Sequence, residues 1–187
     1  MTDLYKRENT LALLHEFTKT DGLRRHAYAV EAAMKAAAER VGGDVEYWSA
    51  VGLLHDFDYE MYPEAPDHPL KGADILRERG YPEDFVRTIL SHAVYTGVPR
   101  ENDCARWLFA VDELCGFCMA CAMVQPDRKI AQVKVKSVRK KLKKKDFAAK
   151  VNRAEIDEGS RDLGLEKDEV VAHVLEALVP VADDLGL

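Results

Sequence analysis

Long apolar runs are missing from this chain: charge breaks every hydrophobic stretch within a dozen residues, which excludes a membrane-spanning helix. Glycine (11) and proline (7) are too sparse for a low-complexity or disordered polymer, and 47% apolar residues can fill a core. A signal-peptide core is also absent, since Met1 leads into Asp3, Lys6, Arg7 and Glu8, so a cytoplasmic location is expected. Cysteine is limited to Cys104, Cys115, Cys118 and Cys121. Three of these recur every third residue of an apolar helical stretch, where they share one stripe and cannot wrap a tetrahedral ion; reduced thiols packed as small apolar groups are expected. Strand-like alternation and internal repeats are not found.

Apolar residues at three-to-four spacing recur almost throughout, which is an all-α pattern. Asn9 or Thr10 caps a first helix through Phe17, and Asp21 a second from Leu23 to Arg40, stopped by Gly42-Gly43. Asp44 caps a third, carrying Tyr47, Trp48, Val51, Leu54 and His55. A loop with Pro63 and Pro66 delivers His68 to a fourth, His68 to Arg79, and Pro82 opens a fifth that includes His92. Asn102 or Asp103 caps a long, buried sixth helix from Ala105 to about Val124. Short helical pieces, Val133 to Lys144 and Asp146 to Val151, precede an amphipathic helix from about Lys167 to Asp184. Residues 1–125 are expected to form one helical domain, with 126–187 a basic, then amphipathic, helical extension packed on it.

Of six histidines, His26, His55, His68 and His92 lie on or beside separate predicted helices facing one core. His55 is followed directly by Asp56, and Asp112 sits mid-helix between Val111 and Leu114, where a carboxylate needs a cation or charged partner. The order His26, His55-Asp56, His68, His92, Asp112 resembles the HD superfamily of metal-dependent phosphohydrolases, over roughly Leu23 to Val124. His68 and His92, 24 residues apart, resemble the branch with a dinuclear centre.

The resemblance implies an HD-type helical bundle in which His26, His55, Asp56 and Asp112 hold one ion, while Asp56 bridges to a second held by His68 and His92. One or two divalent ions are expected, with Mn, Fe, Co, Ni, Mg or Zn as candidates; the absence of a thiolate argues against a purely structural zinc site. Ions about 3.5–4 Å apart acidify a shared water and clamp both oxygens of an in-line phosphoryl displacement. The implied reaction is hydrolysis of a phosphomonoester or phosphodiester in a small molecule such as a nucleotide. Two other readings stand beside it: a di-iron oxygenase on the same six ligands, and a non-catalytic, metal-stabilised regulatory module.

Phe57-Asp58-Tyr59 follows the His-Asp pair where one common family pattern has Ile-Gly-Lys, so no lysine stands there for a substrate phosphate. Asp58 and Glu60 join Asp56 as candidate catalytic groups, acting as acid, base or partner behind a ligand. From Pro126 to Arg153 there are twelve Lys/Arg against two acids, in a chain whose net charge is -6. Lys134, Lys136 and Arg139 are therefore expected over the metal cleft, contacting a small phosphorylated substrate. Docking of nucleic acid on this segment is the competing use, with few aromatics to support base stacking.

Overall fold

The computed structural model describes residues 3–187, and among these the chain is all-α, with no strand. Helix α1 (Arg7–Phe17) leads to the central α2 (Asp21–Val41), whose buried Ala27, Val30, Ala33, Met34, Ala37 and Ala38 follow a helical period. These residues pack between α3 (Val45–Leu54), α6 (Asp103–Met123) and α9 (Lys167–Leu178). Asp44 caps α3 by accepting the backbone N–H groups of Glu46 and Tyr47, and Asn102 caps α6 through the N–H of Ala105. Around the middle of α6, Leu108, Val111, Leu114, Phe117 and Cys118 are fully buried. Burying each large apolar side chain of this kind stabilises the fold by roughly 1.5–3 kcal/mol. All four cysteines are buried and free.

Two shorter helices, α4 (Asp67–Glu78) and α5 (Glu83–Leu90), pack on each other beside α3 and α6. After α6 come α7 (Val135–Leu142), α8 (Arg153–Asp162), α9 and a last turn, α10 (Ala182–Leu185). Both α8 and α9 lie on α6, and Ile156, Val170, Val174 and Leu178 join the same apolar cluster as Met34 and Leu114.

Several boundaries differ from the sequence expectation. Helix α1 starts at Arg7, before Asn9 or Thr10 can cap it. His92 lies beyond the end of α5, outside the helix. Asp146 to Val151 forms turns instead of a helix, because Arg153 donates to the carbonyls of Phe147, Ala148 and Val151 and holds the segment in a curl. The final helix ends at Leu178, with Pro180 in the 3-10 turn that follows.

Candidate metal centre

The six candidate ligands are delivered by five helices or helix ends, His55 and Asp56 sharing the end of α3. His26 lies early on α2, and Asp112 midway along α6 faces it. His55 is the C-cap of α3, and Asp56 follows in a chain of turns that ends the helix: Tyr59 N–H donates to Asp56 O and Met61 N–H to Asp58 O. His68, directly before Pro69, takes an extended ψ of 136° at the start of α4, which turns its ring away from the helix. His92 sits in the turn after α5.

These residues close into two donor groups, His26/His55/Asp112 and Asp56/His68/His92. His26 Nε2 lies 3.0 Å and His55 Nε2 3.3 Å from Asp112 Oδ1. Asp56 Oδ1 lies 3.2 Å from His68 Nε2 and 3.3 Å from His92 Nε2, while Asp56 Oδ2 is 3.5 Å from His55 Nε2. Asp56 thus faces both groups with different oxygens.

The backs of the rings are committed. His55 Nδ1–H donates to Gly52 O at 2.8 Å, His92 Nδ1–H to Ile89 O at 2.6 Å, and His68 Nδ1–H to Asp58 Oδ1 at 2.9 Å. In neutral imidazole this places the free lone pair on Nε2, the atom aimed inward, as a metal-ligating histidine requires. Lone pairs converging on carboxylate oxygens are mutually repulsive unless protons or a cation lie among them. Burial alone would lower His55; the charges of Asp56 and Asp112 override it and push it well above its ordinary value. Burial likewise opposes the rise at His68, yet hydrogen bonds with Asp56 and Asp58 bring it up to about 9. Burial would raise Asp56, but the His55 charge and hydrogen bonds with His55, His68 and His92 hold it well below the usual carboxylate range. Residues that gather positive charge this strongly, with imidazole and carboxylate donors, fit a divalent ion.

The two groups line a cleft of about 410 Å³, walled by Tyr59, Ala93, Tyr95, Glu113, Gly116 and Glu155 among others, with no lysine or arginine. Burial, followed by the charge of Asp112, pushes Glu113 up to about 7, and the same two causes raise Glu155. Neither glutamate was anticipated. An Asp-Glu pair inside an apolar helix is a signal for Glu113; Glu155 has none, because its position depends on how α8 docks. A larger groove of about 1180 Å³ lies elsewhere, between α2, the start of α3 and the C-terminal helices. Its buried Glu31 is already paired with Arg7 and Ser49, and it contains no convergent ligand set.

Four of the expected assignments need correction, and that of Asp58 narrows to one of its alternatives. Asp58 is fully buried behind His68, accepting His68 Nδ1–H and the backbone N–H of Gly72, so it orients a ligand and cannot exchange protons with a substrate in the cleft. Glu60 is exposed and accepts the backbone N–H groups of Lys19 and Thr20 ahead of α2, where it holds the turn leading into the helix. Lys134, Lys136 and Arg139 do not line the cleft. Helix α7 packs on α6 and α9, and Arg139 pairs with Asp168 at 2.7 Å. His15 and His173 lie outside the centre, bonded to Tyr28 Oη and to Ala33 O.

Residues 23–114, which contain every candidate ligand, match the family model described as the HD domain. The chain contains an HD domain. A curated relative is the tRNA (cytidine(56)-2'-O)-methyltransferase of Thermoplasma volcanium, 29% identical over 104 residues; that match covers 51% of this chain and 30% of the enzyme. The chain therefore spans under a third of that relative's length. No solved structure matches. Among the described residues no helix is long and apolar enough to cross a membrane. The HD-domain match over residues 23–114 supports a superfamily of metal-dependent hydrolases, and the two donor groups are the candidate metal centre within it.

Proposed function

We propose that this HD-domain protein is a metal-dependent phosphohydrolase that cleaves a phosphomonoester or phosphodiester, with a nucleotide or an RNA-derived ester as substrate. The observation that carries this reading is Asp56, whose two oxygens face the two donor groups at the floor of an open cleft. Divalent ions held by His26, His55, Asp56 and Asp112, and by Asp56, His68 and His92, would supply Lewis acidity toward a phosphoryl oxygen and acidify water.

The chain's own residues supply orientation and shape. Backbone carbonyls of Gly52 and Ile89, and the carboxylate of Asp58, hold three rings with Nε2 inward. Tyr95 bonds its hydroxyl to the carbonyl of His68 and walls the mouth beside Tyr59. With no lysine or arginine in the lining, recognition of a phosphate would rest on divalent ions held by these ligands and not on side-chain cations. The name of the Thermoplasma relative supports including RNA-derived esters.

The test is elemental analysis of protein purified without chelators, followed by phosphate release from aryl phosphate mono- and diesters, 5'-nucleotides and RNA oligonucleotide ends. Wild type with Mn²⁺ should turn over one class, and Asp56→Ala should lose metal and turnover together. His68→Ala should keep the ion of the His26 group alone. Full metal occupancy in Asp56→Ala contradicts the shared-carboxylate reading. Two irons per chain with substrate-dependent O₂ consumption would favour the oxygenase.

A further inference from the structure

We propose that the outward side of α7 and the turns after it form a docking surface for the phosphate backbone of helical RNA. Lys134, Lys136, Lys140, Lys143, Lys144 and Lys145 are all exposed. Within 134–145, Arg139 is the member with a carboxylate partner among the described residues, and Lys141 is turned in over Phe147 at 4.6 Å. Six neighbouring ammonium groups without countercharge repel one another, in a protein whose overall charge is negative. A line of phosphates relieves that repulsion and releases its own counterions.

The surface is built, not a loose tail. Val138 is fully buried and seats α7, which packs on α6 and α9. The guanidinium of Arg153 donates to the carbonyls of Lys144, Phe147, Ala148 and Val151 and lies 5.2 Å from the Phe117 ring. Arg153 thereby fixes the backbone that presents Lys143 to Lys145, so less freedom is lost on binding.

The chemistry of the surface selects the partner. Lysines are point charges suited to phosphate, and the exposed Gln132, Arg139 and Asn152 beside them are already bonded to Asp127, Asp168 and Glu155, away from reading base edges. The one aromatic of the segment, Phe147, packs edge-on against Phe117 and is spent on the fold, so unstacked bases find no platform. The exposed positions from 134 to 150 include no large apolar residue to enter a bilayer, against a membrane surface. An eight-residue helix seated flat on two others cannot enter the major groove of B-form DNA, whereas the wide, shallow minor groove of A-form RNA offers phosphates to a flat surface. The basic turns lead directly into α8, which carries Glu155 to the cleft wall.

The choice of RNA draws on the reading above, but docking requires no turnover, so the two can fail separately. Fluorescence anisotropy with a 16-base-pair RNA hairpin, titrated from 50 to 300 mM KCl, reads binding directly. Wild type should bind with a steep salt dependence. The triple variant Lys140→Glu/Lys143→Glu/Lys144→Glu should lose at least tenfold in affinity and flatten the log–log salt slope by about 3. A control with the same charge change elsewhere, Lys35→Glu/Lys71→Glu/Arg161→Glu, should bind within about threefold of wild type. Unchanged binding by the α7 variant overturns the proposal, and so does an equal loss in the control. Tighter binding to a single-stranded oligouridylate, to the matching DNA duplex or to phosphatidylserine vesicles overturns it as well. RNA binding without ester hydrolysis leaves this surface standing and removes only the phosphohydrolase; hydrolysis without RNA binding does the reverse.

Discussion

Asp58 uses both carboxylate oxygens inside the protein, Oδ1 on His68 Nδ1–H and Oδ2 on the N–H of Gly72. Asp58→Asn would set an NH₂ group against one of these donors, so the His68 ring should rotate or change tautomer. The expected result is a 10–100-fold weaker ion at Asp56/His68/His92, with the His26/His55/Asp112 group spared. A β-carbon on Gly72 would lie 2.6 Å from the Asp58 carboxyl carbon, so Gly72→Ala should reproduce the selective loss. Calorimetric titration with Mn²⁺ reads both; equal weakening of the two ions would contradict the orienting role of Asp58. The ligands themselves were legible because imidazole and carboxylate in apolar helices need a cation, and that need is local. The role of Asp58 was not, since nothing near it in sequence says which way it points.

At the scale of elements, α8 is the one missed from the sequence. Arg153–Asp162 reads RAEIDEGSRD, with only Ile156, Gly159 and Ser160 buried, a stripe too narrow to show as periodicity. It docks through Gly159, where a β-carbon would come within 2.5 Å of Ala110 Cα on α6. Gly159→Ala should therefore force α8 away from α6, costing about 1–3 kcal/mol and lowering Tm by several degrees. It should also shift Glu155 at the cleft wall. Thermal unfolding checks the first effect, and a Tm within one degree of wild type would show that the helices have slack. Helix starts such as Asp44 and Asn102 were legible because a cap is a short-range bond. The curl at 146–151 was not, because Arg153 and Phe117, which hold it, come from other elements.

For the whole molecule, the candidate metal centre draws on α2, α6 and the ends of α3, α4 and α5, so metal binding and global stability should be linked. At free Mn²⁺ a hundredfold above Kd the gain is about 2.7 kcal/mol, roughly 5–11 °C in Tm for a chain of this size. Removal with a chelator should reverse it; an unchanged Tm would deny the linkage. Without metal, His68 sits at about 9 against an unfolded value near 6.5. A raised folded value stabilises fully below the unfolded one and is lost as pH climbs through the folded one. The chelated protein should therefore lose Tm between pH 6.5 and 9, and saturating Mn²⁺ should abolish that fall. Scanning fluorimetry across this range with and without metal decides it; a flat chelated profile would count against the raised His68.

Sequence alone determined that the protein is helical and that one segment is strongly cationic, and its resemblance to the HD family pointed to His26, His55, Asp56, His68, His92 and Asp112 as one ligand set. Periodicity, ligand chemistry and charge are properties of nearby residues. Tertiary structure decided that Asp58 stands behind His68, that Glu60 holds the turn ahead of α2, and that Glu113 and Glu155 wall the cleft. It also decided where the cations went. Lys134, Lys136 and Arg139 were expected over the metals, but burial of Val138 and the pairing of Arg139 with Asp168 seat α7 on α6 and α9. Those interactions join residues distant in sequence, and only the packed chain brings them together.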